Sequence, residues 1–587
     1  MIYAEKLSFG FSQKELFHEI NFTLERDRHC VLIGSNGTGK TTLTDIISRR
    51  KDYIFEGRLN YEDVGRIAYV SQFVDRESSS SGTVFDYLSE DFLALQKEIE
   101  DICAQMGETD ELDTLMERYQ QLLEESDSLD ADNYEVNIRR QLKLAELEDK
   151  EDLELACLSG GELKLVQVIR QMLRRSDLLI MDEPDVFLDF ENLTGLRDLI
   201  NAYKGTLLVV THNRYLLGHC FDKIWHLENG DLQEFDGSFA QYNHSRLQKK
   251  IDLKLAADAD DEAIRLTTEM VERLRDEATE VAEAQKGRTL KGKVSYLNRL
   301  LARRIKPPFV EIRQPDIHLG EPSPCGENEP LLEITDYTLA FEDTLLKDIS
   351  FTVHAGEKVV LVGPNGTGKT SLLRDIRAHH RESVRFSESA HPAFFSQLHA
   401  EILNDENTIY QEFFDLGFET KDSVAELLGK YCFADDGLHR KVGQLSGGEK
   451  NLLQLAKLSV SGANLLLLDE PSSHLDTFAQ IALEDAIADY KGAVLMISHD
   501  FYTVVRCADT ILYVDEQTVR PMSKRAFRKM IYKRHFSLEY LELEQQRKEL
   551  ETRIERCLEQ GDCAQAQTLC DKLGEVIEQS AAIGRHP

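Results

Sequence analysis

Gly34-Ser35-Asn36-Gly37-Thr38-Gly39-Lys40-Thr41-Thr42 follows the apolar run Cys30-Val31-Leu32-Ile33. It returns 329 residues later as Gly363-Pro364-Asn365-Gly366-Thr367-Gly368-Lys369-Thr370-Ser371, again after an apolar run, Val359-Val360-Leu361-Val362. Each copy has the spacing GxxxxGK[ST] between a predicted strand and a predicted helix. The glycines let backbone N–H groups close around phosphate oxygens, and the N-terminus of the following helix favours an anion. Lys40 and Lys369 are expected to reach β- and γ-phosphates, and Thr41 and Thr370 to ligate Mg²⁺. A single copy could be a glycine-rich turn. Two copies, each followed by the same ordered motifs, exclude that reading and predict an α/β fold in tandem.

The later motifs confirm the duplication. Leu158-Ser159-Gly160-Gly161-Glu162 returns as Leu445-Ser446-Gly447-Gly448-Glu449, at an offset of 287. Asp182-Glu183 and Asp469-Glu470 keep that offset, as do His212 and His499. Gln72 and Gln397 lie at 325, so the first half carries 38 extra residues between its Gln and its Ser-Gly-Gly. Leu178-Leu-Ile-Met and Leu465-Leu-Leu-Leu read as buried strands that end in two carboxylates. Adjacent strand residues point to opposite faces, so the pair can divide labour. Asp182 and Asp469 suit the Mg²⁺ shell. Glu183 and Glu470 suit orienting and polarising an attacking water. Gln72 and Gln397 suit a neutral ligand near Mg²⁺ and that water. A lone His at a strand end is usually a structural cap, but beside these motifs His212 and His499 read as γ-phosphate contacts.

Composition bounds the rest. The 587-residue chain is 42 % hydrophobic and 30 % charged, with a net charge of −36, so packed domains are expected. Such acidity excludes indiscriminate binding to nucleic acid or anionic membrane. No apolar run approaches the ~20 residues of a membrane span, and no secretory signal is read at Met1–Phe9. Ten cysteines without CxxC spacing argue for a reducing compartment and against a zinc or iron–sulfur module. The expectation is a cytoplasmic protein.

Two segments fit neither repeat. The extra stretch of the first half reads as a helical hairpin broken at Gly107, with thirteen acidic and two basic residues between Leu95 and Asp132. It is either a solvated face or an arm that meets a basic protein. Between the halves, Leu266, Met270, Leu274 and Val281 form one helical stripe, and Val294, Leu297, Leu301 and Ile305 form a second. Lys286, Arg288, Lys291, Lys293, Arg299, Arg303, Arg304 and Lys306 crowd a stretch, Ala284 to Val310, with no acidic residue. RNA phosphate would explain this inversion, and pairing with the acidic helix beside it is the bland alternative. Residues 311–330 read as a tether. After about 536 a second helical pair turns at Gly561-Asp562, behind a basic cluster from Lys524 to Arg534. The expected domains are 1–244, with the arm at about 85–150, a charged linker at 245–330, a second module at 331–520, and a basic, helical extension at 521–587.

With these motifs in this order, the chain resembles the ATP-binding cassette superfamily, whose signature is Leu-Ser-Gly-Gly-Glu. The resemblance implies a head-to-tail pairing of two cassettes around two ATP molecules within one monomer. Ser446, Gly447 and Gly448 would complete the site of Lys40, and Ser159, Gly160 and Gly161 that of Lys369. Phe11 and Phe341 align with the adenine-stacking aromatic. Over nearly the whole chain the resemblance is to the ABC-F group of translation factors. The arm, the charged linker, the C-terminal extension, the Glu that ends each signature and Ile224-Trp-His-Leu-Glu-Asn-Gly…Phe235-Asp-Gly-Ser-Phe239 carry it. It implies binding at the ribosomal E site, with rRNA, P-site tRNA and basic ribosomal proteins as partners, in a role that modulates translation or protects it from antibiotics. The first module departs from the family pattern at Asp185-Val186-Phe187 where Thr-Asn-His is preferred, and both sites keep Lys and Glu. This implies two ATP sites, open to unequal hydrolysis rates. The rival is a duplicated ATP-binding subunit of a membrane transporter, which a long basic linker disfavours. A recycling ATPase would carry a Cys-rich cluster domain, and a DNA-repair or scaffold ATPase zinc modules or longer coils. Both Glu residues oppose a non-catalytic regulatory module.

Overall fold

Short apolar runs survive only in a sheet covered on both faces, and the runs beside the motifs are placed in one. The computed structural model describes the chain except residues 12–13, 73–81, 107–111, 187, 281–283, 305–313, 342–343, 379–380, 415, 417, 419, 434, 516, 533–537 and 584–587. In the first module the parallel strands run in the order Ile67–Val70, Leu178–Asp182, Thr206–Val210, His29–Ile33, Lys223–Glu228, with Asp231–Asp236 antiparallel at the edge. The second module repeats this order with Pro392–Phe395, Leu465–Asp469, Ala493–Ile497, Lys358–Val362, Thr510–Asp515 and antiparallel Thr518–Met522. Leu178–Asp182, Thr206–Val210, Leu465–Asp469 and Ala493–Ile497 are buried at every residue. Each module adds a three-stranded antiparallel sheet, built on Ile2–Phe11 in the first and Pro330–Ala340 in the second. The motifs therefore follow the carboxyl ends of central parallel strands, where open α/β sheets bind ligands.

The acidic stretch of the first module forms helices Val84–Gln105 and Leu112–Leu129. Leu95, Ile102, Leu122 and Leu129 are buried, and Arg118 pairs with Glu98 across the hairpin at 2.7 Å. Gly107, where the sequence breaks the helix, lies outside the described residues.

The chain folds into two compact units. One comprises Met1–Asp236 with Arg313–Ile531, and the other Gly237–Ile312 with Tyr532–Pro587. Both modules belong to the first. The stretch read as a tether is instead packed on the second module over its described residues. Ile317 and Leu319 join that module's core, Asp316 N donates to Lys430 O at 2.7 Å, and Ser323 Oγ donates to Gly462 O at 2.6 Å. Two apolar residues spaced by two point the same way along an extended chain, and here both find the core. The extension also begins later than residue 521, because Phe527 of helix Lys524–Tyr532 is fully buried in the second module's core.

The second unit contains helices Phe239–Glu280 and Ala284–Arg303, and the pair Leu538–Gln560 and Cys563–Ile583. The linker stripe is shifted from its sequence reading. Val271 is buried while Leu266 and Met270 are about half exposed. Leu300, rather than the exposed Leu301, continues Val294 and Leu297. A two-helix contact needs only a narrow seam, so apolar residues beside it stay in solvent. Leu247 and Ile251 of the long helix pack with Leu550, Ile554, Leu569 and Leu573 of the C-terminal pair. Substituting Leu573→Ala should cost about 2–5 kcal/mol in this bundle. Hydrogen exchange should then rise across Leu538–Gln560 and Cys563–Ile583 and stay unchanged in Leu178–Asp182; equal loss in both would contradict two separate packing units.

Candidate functional site

Each phosphate loop is a turn that only glycine can make. Gly34 has φ 155°, and a Cβ there would lie 2.1 Å from the Leu227 carbonyl oxygen. The loop ends at the helix Lys40–Ser48, and the second loop at Lys369–Ala378. Lys40 Nζ donates to the Gly34 and Ser35 carbonyls at 2.9 and 3.0 Å, and Lys369 Nζ to Gly363 and Pro364 at 2.9 and 2.6 Å. Both ammonium groups are thus folded back into their own loops. Burial lowers the Lys40 pKa, opposed by Asp476, Glu183 and Asp182, and brings Lys369 down to about 8.

The carboxylates stand beside these lysines. Asp182 Oδ2 accepts from Tyr69 OH at 3.1 Å, and Thr370 Oγ1 donates to Asp469 Oδ1 at 3.1 Å. Asp182 Oδ1 and Asp469 Oδ2 are buried without a hydrogen-bond partner among the described residues. Burial, then the neighbouring Glu183, raises the Asp182 pKa, and burial raises that of Asp469 to about 6. A buried, unpartnered carboxylate oxygen beside a Thr hydroxyl is the donor set a hard divalent cation takes, so these residues fit Mg²⁺. Glu183 and Glu470 adopt left-handed φ values of 45° and 50°. Such backbone costs about 1–3 kcal/mol each and is held here by Glu183 N to Val210 O at 2.8 Å and Glu470 N to Ile497 O at 3.1 Å. Burial, reinforced by Asp469, lifts the Glu470 pKa to about 8. His499 is pushed down to about 3, and His212 well below its ordinary value, by burial and by Lys369 and Lys40. Both imidazoles are therefore neutral at pH 7. His499 Nε2 lies 3.6 Å from Glu470 Oε1.

The two modules meet head to tail at the phosphate loops. Asn36 N donates to Asp476 Oδ2 at 3.1 Å, and Asn36 Nδ2 donates to the His474 carbonyl at 2.8 Å. On the other side Asn365 N donates to Asp189 Oδ2 at 3.0 Å. A Cβ on Gly448 would lie 1.9 Å from Asn36 Nδ2, so the signature of the second module abuts the loop of the first. Ser159 and Ser446 cap their helices in reciprocal boxes with Glu162 and Glu449. The final Glu of each signature therefore fixes the helix N-terminus. A third contact joins the strand ends that carry His212 and His499. Arg214 donates to Glu484 at 3.2 Å and to Asp500 at 3.1 Å, in a buried group, and also lies 4.8 Å from the Tyr502 ring. Phe190 of the first module lies 6.1 Å from the His499 ring.

The structure thus gathers Lys40, Thr41, Asp182, Glu183, Gln72 and His212 at one place, and Lys369, Thr370, Asp469, Glu470 and His499 at another. Gln72 Nε2 donates to Glu183 Oε2 at 2.6 Å. Glu470 Oε2 takes the His499 backbone N–H at 3.2 Å instead. Gly160 faces open space, and Phe11 and Phe341 are 54 % and 70 % exposed. Sequence reading missed Asp189 and Asp476, although they share the 287-residue offset of the other motifs. It also missed Arg214, whose counterpart at that offset is Phe501 and which no repeat could reveal.

A protein-family model described as "ABC transporter" matches residues 17–186 and 346–473. The energy-dependent translational throttle protein EttA of Escherichia coli is 30 % identical over 83 % of this chain and 87 % of its own. ABC transporter F family member 5 of Arabidopsis thaliana is 27 % identical over 87 % and 74 %. Among solved structures, an RNase-L inhibitor aligns with a TM-score of 0.55 at 19 % identity, covering 90 % of this chain and 92 % of that one. At this identity the likeness shows the shared tandem fold. Among the described residues, no helix is long and apolar enough to cross a membrane.

Because a Cβ at Gly448 would lie 1.9 Å from Asn36 Nδ2 of the opposite loop, Gly448→Ala should stop the modules closing. Affinity for a fluorescent ATP analogue, measured by titration, should weaken together with turnover, and turnover should fall at least about tenfold. Parental turnover would contradict the head-to-tail contact.

Proposed function

Since the chain belongs to the ATP-binding cassette family, among the tandem-cassette proteins of its F group, we propose that it is a ribosome-binding ATPase of the translation-factor type. Its two cassettes are P-loop NTPase domains. In our reading they clamp two ATP molecules, one between Lys40 and the Ser446–Gly448 signature, the other between Lys369 and the Ser159–Gly161 signature. The observation that carries this is reciprocal: Asp476 on Asn36 and Asp189 on Asn365. Each loop faces the other cassette, so binding at a loop and closure of the pair become one event. Thr41, Gln72 and Asp182 would hold one Mg²⁺, and Thr370, Gln397 and Asp469 the other. The cation would neutralise phosphate charge there. Glu183 and Glu470 orient water, with His212 and His499 as neutral partners at the strand ends. Phe11 and Phe341 are exposed enough to receive an adenine face.

The linker supports the choice of partner. Its long helix, Phe239–Glu280, has 42 residues and so spans about 63 Å. Of the candidate contacts, Arg304 is paired with Asp261 at 2.9 Å. Lys291, Lys293, Arg299 and Arg303 have no ion-pair partner among the described residues, and Lys293 and Arg299 flank the exposed Tyr296 ring at 6.0 and 5.8 Å. Side chains of Lys286, Arg288 and Lys306 lie outside the described residues. Cations beside an exposed aromatic suit RNA, by phosphate neutralisation and base stacking. The acidic arm suits a basic ribosomal protein. The protein would act in the cytoplasm as a monomer, modulating translation or protecting it from drugs.

The test is co-sedimentation of the Glu183→Gln, Glu470→Gln variant with ribosomes. Its turnover should fall by about 10²–10⁴, the share that positioned acid–base groups contribute, and ATP should hold it on the particle. Adding Lys291→Glu, Lys293→Glu, Arg299→Glu and Arg303→Glu should release it and flatten the salt dependence. ATP-independent sedimentation, or full retention after charge reversal, would refute the proposal.

A further inference from the structure

The two ATP sites are not chemically equivalent, and the difference is supplied from across the cassette interface. The backbone of His474 is bound to the opposite phosphate loop through Asn36 Nδ2, as described above, and its own φ is 58°. That placement carries the imidazole of the second cassette into the site of the first. His474 Nδ1 lies 3.4 Å from Gln72 Nε2 and 3.9 Å from Glu183 Oε2. Gln72 Nε2 is at the same time 2.6 Å from Glu183 Oε2. A primary amide has two N–H donors and one carbonyl acceptor. One N–H serves Glu183, and the other points to a ring nitrogen that accepts in the neutral imidazole protonated at Nε2. With both donors occupied, the amide cannot flip without losing two hydrogen bonds, and Glu183 is held by a partner that is itself held.

Among the described residues the other site shows no such arrangement. The residue 287 positions before His474 is Phe187, whose ring has no nitrogen to accept a hydrogen bond. Phe187 lies outside the described residues, but Asp189, two residues on, is the group that touches Asn365 of the second loop. Glu470 Oε1 has no hydrogen-bond partner among the described residues, and its other oxygen is bound to backbone alone.

We propose that His474 is a positioning residue acting in trans on the Gln72–Glu183 pair, and that the Lys40 site is therefore the faster of the two. This rests on the composite-site reading above. It deepens that reading by ranking the sites.

Each site can be isolated by silencing the other. With Glu470→Gln only the Lys40 site retains its carboxylate, and with Glu183→Gln only the Lys369 site does. Single-turnover hydrolysis should be at least about fivefold faster in the Glu470→Gln protein. In that background His474→Phe should lower the hydrolysis rate about tenfold while the affinity for a fluorescent ATP analogue, measured by equilibrium titration, stays within about twofold. His474→Gln, which keeps an acceptor, should recover part of the rate. In the Glu183→Gln background Phe187→His should raise the rate. Equal rates at the two sites, a loss of affinity in His474→Phe as large as its loss of rate, or no recovery in His474→Gln would overturn the inference. Persistent turnover when both Glu residues are Gln would instead overturn the assignment of the catalytic carboxylates on which it rests.

Discussion

The backbone N–H of one asparagine in each phosphate loop, bound to an aspartate of the opposite cassette, is the contact on which the rest of the site depends. Asn36 and Asn365 offer these groups, and Asp476 and Asp189 take them. A phosphate loop needs its other N–H groups for anions, so the asparagine is the point where it can spare one for a partner. Once that bond forms, the geometry beyond it is largely determined. The His474 carbonyl follows onto Asn36, Gly448 comes within contact of the same side chain, and the imidazole reaches Gln72. The strained backbone at Glu183 and Glu470 belongs to the same arrangement, since it places a carboxylate at each strand end facing the interface.

Symmetry ends at the residues that are not repeated. Arg214 bonds Glu484 and Asp500, whereas the corresponding positions at the repeat offset hold Phe501, Arg197 and Asn213. Arg197 turns instead to Tyr215 at 2.7 Å and to Asp198. Removing one partner from a buried ionic group leaves the other charge uncompensated, typically at ~3–5 kcal/mol, and at the repeat offset Phe501 stands in place of Arg214. An aperiodic pair of this kind sits beside an aperiodic His474, and both make the two halves of a duplicated chain unequal.

How much of this the sequence revealed depends on distance along the chain. Strand runs such as Leu178–Asp182 and helix starts such as Ser159 are local patterns, and local physics places them. Asp182, Glu183 and Lys40 could be grouped because their two motifs share one fold logic. Arg214 and His474 could not be assigned partners, since their contacts lie 270 and 402 residues away and follow from docking rather than from periodicity. The tether reading fails for a similar reason: Pro and Gly content describes a backbone without regular structure, but Ile317 and Leu319 decide that it is packed. The linker stripe reads one residue out at Val271 and Leu300, because a helix of 3.6 residues per turn offers two adjacent seams and only the partner helix selects between them.

Under the proposed function, nucleotide at the phosphate loops and closure of the two cassettes are a single equilibrium. Pulsed electron–electron resonance measures this most directly, with spin labels at the exposed positions Ile54 in the first cassette and Phe414 in the second, in the Glu183→Gln, Glu470→Gln protein after serine replacement of the exposed Cys103, Cys157 and Cys325. Mg²⁺-ATP should collapse a broad distance distribution into one narrow population, and Gly448→Ala should keep it broad at saturating nucleotide. A distribution that ATP leaves unchanged, or one that narrows equally in the Gly448→Ala protein, would contradict the account.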